Sequence, residues 1–340
     1  MKERIGYYDI AKGLGIFLVV YTHICFNTSF HINEIIYTFY MPLFFVVSGM
    51  TFKLGETLKG YVVRNFYSIM IPYFVWSILS FIYWAGFENK FRSEAAKLAV
   101  DKAFCGIFVG SYYWLPFNYV LWFLPVLFIV KVLYGVLERY LPKPGIVVAI
   151  IVCSVLGIKL MNVELVWGIN RALRYVVFFA FGVLIKRIDF RKLKYKTVMW
   201  LLLFSFLTIA CLRGYSMGIF YYILGVIGSV ATIIIAADLE VHTRYIAGIM
   251  SKLGTITLGI LVMHGPLYRA LIGIISKMFC IDTGYLRRNV LFSLSLSMIT
   301  ILLIVYPTRI IYKHIPFCLG RKRGCLLYTS PSPRDMRRSR

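Results

Sequence analysis

The first long apolar run of the chain contains three ionisable residues. The run covers residues 9–28 and carries Asp9, Lys12 and His23. Lys12 and His23 are eleven residues apart, so on an α-helix they lie on one face and about 16 Å apart along the axis. Asp9 precedes Lys12 by three residues and can form an ion pair with it. Ionisable groups inside apolar helices face the bundle interior or a wet cavity, and they are commonly functional.

His23 has the chemistry of a catalyst. An imidazole exchanges protons near neutral pH, so it can take a proton from a hydroxyl group while that oxygen attacks a carbonyl carbon. It could also carry an acyl group itself, and the sequence leaves both roles open. The structural alternative for His23 is a histidine that packs between helices and bonds to a backbone carbonyl. For Asp9 and Lys12 the alternative is an ion pair that reaches the lipid headgroups.

The second apolar run, residues 34–53, opens with Glu34 and contains Pro42 and Ser48. A proline inside a helix removes one backbone hydrogen bond and commonly kinks the helix. Ser48 and the glycine after it allow close approach by another helix or by a ligand. We include Glu34 and Ser48 among the candidate substrate-binding residues, with helix packing as the alternative interpretation.

Three later residues could also bind substrate. Arg171 and Arg174 lie at the start of the sixth apolar run and could bind a phosphate or a carboxylate, or else anchor the helix at the membrane interface. His264 lies in the ninth run, and we predict that it faces the same cavity as His23, with helix packing as the alternative. The sequence contains neither a zinc signature nor a P-loop, and we predict no metal site.

The composition indicates what kind of protein positions these residues. Of the 340 residues, 60% are hydrophobic and 15% are charged, whereas soluble domains carry about 25% charged residues. Because a helix needs about 20 apolar residues to cross the hydrocarbon layer, the sequence predicts an all-α, polytopic membrane bundle with about ten transmembrane helices. The predicted spans cover residues 9–28, 34–53, 65–87, 114–137, 144–161, 172–186, 197–212, 216–237, 255–276 and 289–312.

The net charge of +24 does not indicate nucleic-acid binding, because the basic residues lie in short loops between the apolar runs. Lysine and arginine in such loops set the topology and contact lipid headgroups. The loop at 186–196 carries six of them. This bias predicts that both termini of the multi-pass protein lie in the cytoplasm.

The chain is predicted to contain one membrane domain, residues 1–315, followed by a basic tail, residues 316–340. The tail is rich in serine, proline and arginine, a composition that cannot bury enough apolar surface to fold. Residues 326–340 also resemble translated sequencing-adapter sequence, so a sequencing artefact is the alternative to a disordered tail. We assign the tail no function.

Two segments resemble the acyltransferase 3 family of membrane proteins. The first is Asp9-Ile-Ala-Lys-Gly-Leu-Gly-Ile with His23, and the second is Phe39-Tyr-Met-Pro-Leu-Phe-Phe-Val-Val-Ser-Gly49. Lys12 and His23 match the family's motif of a basic residue, ten intervening residues and a histidine. Within the family, the sequence is most similar to the fucose 4-O-acetylase-like branch.

The sequence departs from the family pattern at two positions. Many relatives have a histidine where this chain has Tyr40. Some relatives carry a paired Arg-x-x-Arg in the third span, where this chain has only Arg64 at the inner edge.

The resemblance implies a ten-span, multi-pass enzyme of a bacterial inner or plasma membrane. Such an enzyme transfers an acyl group, usually acetyl from acetyl-CoA, to a hydroxyl of an envelope or exported carbohydrate. It implies that His23 is the base or acyl carrier and that Lys12, with Asp9, positions the donor or balances charge. Arg64 could meet the phosphates of CoA or could act only as a topology signal. The implied partners are membrane lipids, an acyl-CoA donor and a carbohydrate or glycolipid acceptor. Acetyl-CoA is then a co-substrate, and we predict no bound cofactor.

Two other functions fit polar groups inside membrane spans. A transporter or flippase of an envelope glycan precursor would move its substrate without consuming acyl-CoA. A membrane sensor or scaffold without catalysis is the third interpretation, and the buried Lys12 and His23 face disfavours it.

Overall fold

The computed structural model describes residues 6–26, 32–91, 99–193, 196–213 and 219–321. Over these ranges the chain is all-helical and forms no β-strand, as the composition predicts. The turn Phe66–Met70 is π-helical and joins two helices into one continuous helical segment. The α-helices of the described residues are α1 (Gly6–Ile24), α2 (Ile32–Met50), α3 (Leu58–Asn65), α4 (Ile71–Gly86), α5 (Val100–Val109), α6 (Phe123–Tyr140), α7 (Lys143–Lys159), α8 (Ile169–Ile185), α9 (Lys196–Arg213), α10 (Ile219–His242), α11 (Arg244–Thr255), α12 (Thr257–Phe279), α13 (Thr283–Arg288) and α14 (Val290–His314).

Six helical segments of the described residues are long and apolar enough to cross a membrane, by length and composition. These segments are Leu58–Lys90, Tyr119–Tyr140, Val166–Ile185, Phe220–His242, Thr257–Phe279 and Val290–His314.

The other four predicted spans, residues 9–28, 34–53, 144–161 and 197–212, coincide with α1, α2, α7 and α9. These helices have 17 to 19 residues, so the shortest reaches about 26 Å against roughly 30 Å of hydrocarbon. The count of about ten spans and the cytoplasmic location of both termini therefore stay predictions.

The fourth predicted span, residues 114–137, begins too early, because α6 starts only at Phe123. Leu115 precedes Pro116, and a residue before proline avoids the helical conformation. Both Leu115 and Asn118 have non-helical backbone angles and fully buried side chains. This apolar sequence forms an irregular segment that packs inside the bundle instead of the first turns of a helix.

Helix α1 lies at the centre of the bundle and packs against α2, α10, α11, α12 and α14. Its approach to α11 is close at two glycines. A Cβ atom on Gly13 would collide with the Met250 carbonyl, and one on Gly254 would collide with the Asp9 carbonyl. Close packing through small residues is the usual way in which membrane helices associate.

Helices α2 and α8 approach each other in the same way. A Cβ atom on Gly49 would collide with the Phe179 carbonyl, and one on Gly182 would collide with the Val46 carbonyl. The close approach of glycine to backbone fixes α8 against α2.

The first residues of the predicted tail pack on the bundle. Trp76 donates a hydrogen bond from Nε1 to the Cys318 carbonyl (2.9 Å), and Arg321 donates from Nη2 to the Thr255 carbonyl (3.2 Å). The rest of the predicted tail, residues 322–340, lies outside the described residues.

Candidate active site

Two histidines from distant parts of the chain meet inside the bundle. His23 lies in the last turn of α1 and His264 lies in α12. His23 Nδ1 and His264 Nε2 are 3.0 Å apart, and the two rings are inclined by 16°. The side chain of His264 is fully buried, whereas His23 is half-buried.

The hydrogen bonds of His264 determine which nitrogen of His23 carries a proton. His264 Nδ1 lies 2.9 Å from the Ile260 carbonyl, which only accepts, so Nδ1 must donate. In a neutral imidazole the other nitrogen then accepts, and His264 Nε2 accepts from Nδ1–H of His23. This arrangement leaves Nε2 of His23 without a proton, which is the form needed for a base or a nucleophile.

A proline shapes α12 next to His264. Pro266 has no N–H group, so the carbonyl of Val262, four residues earlier, lacks its partner in the helix. Asn118 fills that position, because its Nδ2 donates to the Val262 carbonyl (2.8 Å) and also to Ser80 Oγ (3.1 Å). The irregular segment before α6 is thereby bonded to the helix that carries His264.

The end of α1 is held by side chains. The last carbonyls of a helix have no partner within it, and an unpaired carbonyl is costly inside a membrane. Arg287 donates to the carbonyls of His23 (2.7 Å) and Ile24 (2.9 Å), and the Tyr37 hydroxyl donates to that of Thr22 (3.0 Å). These bonds fix the backbone from which the His23 ring projects.

Arg287 itself lies in α13 between two membrane-spanning helices. Its guanidinium stacks 3.4 Å from the centre of the Phe26 ring. Burial lowers the pKa of the Arg287 guanidinium from its ordinary value, but arginine stays protonated in proteins. A positive charge therefore lies at the carboxyl end of α1, where the helix dipole favours it.

His23 lines a cavity of about 830 Å³ at the end of the bundle where α1 ends and α8 begins. The size suits a ligand of several rings. The walls are rich in aromatic side chains, and the Tyr119 ring packs edge-on against the ring of His23, with 5.3 Å between centroids. The aromatic lining includes Tyr37, Tyr40, Tyr112, Trp122, Tyr175 and Tyr268.

The same cavity contains four arginines, two of which are balanced by carboxylates. Arg171 pairs with Glu164 (2.7 Å), and Arg269 binds Glu88 through two bonds of 2.9 and 3.1 Å. Arg174 also lines the cavity. Among the described residues, no group of three or more histidine, cysteine, aspartate or glutamate side chains could hold a metal ion.

A family model described as an acyltransferase domain matches residues 5–311. This match covers most of the chain and includes both histidines and Arg287. The chain belongs to the acyltransferase 3 family. Together with the six apolar helices, this membership identifies a multi-pass membrane acyltransferase. No curated protein and no solved structure matches the chain.

Of the residues predicted for the site of this acyltransferase, His23, Arg171 and Arg174 line the cavity. His264 lies behind His23, as its hydrogen-bond partner, and is not part of the cavity wall. Tyr40, which stands where many relatives have a histidine, is a cavity residue.

The other predicted residues lie elsewhere in the acyltransferase. Lys12 and Asp9 form an ion pair of 2.6 Å on α1, and neither lines the cavity. Glu34 lies in the first turn of α2 and Ser48 in its last turn, both also outside the cavity wall. Arg64 is exposed and donates to a backbone carbonyl in the loop after α2.

A second set of basic groups lies toward the end of the bundle opposite the cavity. Tyr40 is ten residues before the end of α2 at Met50, or about 15 Å along the axis, and Arg64 lies beyond that end. Lys131 of α6 is close enough to Arg64 for their charges to repel. In the part of the chain that the structure describes, neither cation forms an ion pair with a carboxylate.

Several site residues of the acyltransferase were not predicted from the sequence. These residues are Asn118, Tyr119, Arg269, Arg287 and Lys131. Pro266 signals an unpaired carbonyl in α12, but nothing in the pattern identifies its distant partner. A single cation within an apolar run, as at Lys131 and Arg269, was a local signal that could have been used.

Proposed function

We propose that the protein is an integral-membrane O-acetyltransferase that moves an acetyl group from acetyl-CoA to a hydroxyl of an envelope or exported carbohydrate. The observation that carries the proposal is the histidine pair. In a member of an acyltransferase family, His23 offers an unprotonated Nε2 at the wall of a cavity large enough for sugar rings.

In the first form of the reaction, His23 is the general base. Its Nε2 takes the proton of the acceptor hydroxyl while that oxygen attacks the thioester carbonyl carbon. The C–S bond breaks, the ester C–O bond forms, and the thiolate of CoA receives the proton from Nε2. His264 keeps Nδ1–H of His23 engaged, so the ring stays oriented through the transfer.

In the second form, His23 carries the acetyl group. Its Nε2 attacks the thioester carbonyl carbon, the C–S bond breaks, and CoA leaves as the thiolate. The acceptor hydroxyl then attacks the acetyl carbon, the C–N bond to the imidazole breaks, and the hydroxyl proton passes through the freed Nε2 to the thiolate. The two forms differ in one observable, because only the second produces an acetylated protein when acetyl-CoA is present without acceptor.

The cavity supports a carbohydrate as acceptor. The faces of aromatic rings are negatively polarised and suit the C–H faces of sugars, while hydroxyl and guanidinium groups supply hydrogen bonds. Resemblance to the fucose 4-O-acetylase-like branch favours the same class of acceptor. That this chain belongs to the fucose 4-O-acetylase-like branch is itself part of what we propose.

The opposite end of the bundle supports donor binding. Arg64 and Lys131 are neighbouring cations without carboxylate partners among the described residues, and CoA carries phosphates that would balance them. The thioester of CoA ends a long flexible arm, so the nucleotide can stay near this end while the acetyl group reaches His23. Lys12 lies about 16 Å from His23 along α1, on the side from which the arm would approach.

The purified protein in lipid nanodiscs provides the test. Acetyl-CoA and a panel of glycans are added, and free CoA and acetylated glycan are measured by mass spectrometry. The proposal expects CoA release that depends on acceptor, together with one acetyl group on the product. Movement of a glycan across proteoliposomes without CoA release would instead support a transporter or flippase.

A further inference from the structure

The four arginines of the cavity differ in how their charges are used. Arg171 and Arg269 are each balanced by a glutamate, and Arg287 spends its donors on the carbonyls that end α1. Arg174 has no carboxylate partner among the described residues. The cavity therefore keeps uncompensated positive charge. The Arg174 guanidinium bonds only to neutral hydroxyl groups, those of Tyr175 and Tyr221, among the described residues.

The position of Arg174 is set by aromatic rings. Its guanidinium lies over the rings of Tyr221 (4.6 Å) and Tyr175 (5.5 Å), a geometry that attracts a cation without neutralising it. The two tyrosine hydroxyls bond to each other at 3.1 Å. Arg174 Nε is buried and has no hydrogen-bond partner in the described structure. Because Arg174 lines the cavity, a bound anion could accept hydrogen bonds from the other N–H groups of its guanidinium.

The sequence limits which carboxylates could supply that acceptor. Only Glu3, Glu94 and Asp335 of the 14 acidic residues lie outside the described ranges. The segments 27–31 and 214–218, which are also outside those ranges and adjoin α1 and α10, contain no acidic residue. An anion for Arg174 is therefore best supplied by a ligand.

We infer that Arg174 is an anion subsite and that the acceptor carries a negatively charged group, a carboxylate or a phosphate, in addition to the hydroxyl that is acetylated. This inference rests on the proposed function. The planar guanidinium binds either group through two parallel hydrogen bonds. The neutral rings around His23 would hold the sugar, and Arg174 would select acidic glycans or phosphate-linked precursors over neutral ones.

Two matched pairs of ligands test the inference on the full-length protein in nanodiscs. The first pair is a disaccharide that contains a uronic acid and the same disaccharide with its carboxylate reduced to an alcohol. The second pair is a sugar linked to a prenyl phosphate and the same sugar linked to the prenyl alcohol. Equilibrium binding by calorimetry is measured for each ligand, and CoA release from acetyl-CoA is measured in parallel.

The variants are Arg174→Gln, Arg174→Lys and Arg139→Gln. Arg139 is an exposed arginine in the last turn of α6, about 24 Å along that helix from its start beside the cavity, and serves as the matched loss of charge. The inference expects the anionic member of one pair to bind at least about tenfold more tightly than its neutral partner. Arg174→Gln should abolish that difference, Arg174→Lys should keep part of it, and Arg139→Gln should leave it unchanged.

Equal binding of both members in both pairs would overturn the inference, and so would a preference that survives Arg174→Gln. If Arg174→Gln does not fold, the wild-type comparison and Arg174→Lys still decide. Binding and turnover also separate the two proposals. A preference for anions without any CoA release contradicts the acetyltransferase, whereas CoA release with equal use of neutral acceptors contradicts only the anion subsite.

Discussion

Replacing His264 by alanine tests how His23 is oriented. The replacement leaves Nδ1–H of His23 without its acceptor, 3.0 Å away in the wild type. An unmet buried donor costs about 1–3 kcal/mol. The ring can avoid that cost by rotating or by moving its proton to Nε2, and both changes remove the basic nitrogen from the acceptor hydroxyl. If this whole free energy is added to the activation barrier, kcat decreases by about 5- to 150-fold.

A double-mutant cycle makes this prediction specific. His23→Ala removes the general base and should decrease kcat by about 10²- to 10⁴-fold. Because His264 acts through His23, adding His264→Ala to His23→Ala should cause no further loss. CoA release with a thiol reagent gives kcat, and the melting temperature of each variant shows that it is folded.

Two results would contradict this role of His264. Wild-type turnover by His264→Ala would show that the hydrogen bond does not orient His23. Losses that multiply in the double variant would show that His264 acts on the substrate independently.

The remaining predictions concern the supports of the site. Arg287→Gln should decrease kcat by about tenfold or more, because it removes charged hydrogen bonds from the end of α1, and an unchanged kcat would show that these bonds do not position His23. Asn118→Ala should destabilise the protein by about 1–3 kcal/mol, read as a lower melting temperature, because it leaves a carbonyl of α12 unpaired. Gly182→Val should destabilise by about 1–3 kcal/mol through overpacking, whereas Gly273→Val, at a site with open space, should not; equal melting temperatures would contradict the packing of α2 on α8.

The sequence predicts the helical class and one face of α1 because these depend on local patterns. Apolar runs identify most helices, and a spacing of eleven residues places Lys12 and His23 on one face. His264 was predicted to face the same cavity as His23, but its direct contact with His23 could not be derived from local patterns. His264 is 241 residues away in the chain, and no periodicity indicates which two helices lie side by side.

The irregular segment before α6 shows why the rest of the site was missed. Its composition is as apolar as a membrane span, so hydropathy predicts a helix from residue 114. The backbone instead departs from helical geometry around Pro116, and Asn118 supplies the hydrogen bond that Pro266 removes from α12. The two departures compensate each other across the bundle, and neither can be understood from its own segment.

We propose above that Nε2 of His23 performs the acyl transfer. The direct measurement is transfer of radiolabelled acetyl from acetyl-CoA to glycan by wild type, His23→Ala and His242→Ala in nanodiscs. His242 is an exposed histidine at the end of α10, paired with Asp238, and is the matched control. We expect His23→Ala to lose transfer while it keeps the wild-type melting temperature, and His242→Ala to keep full activity. Undiminished transfer by His23→Ala would show that His23 does not perform the reaction.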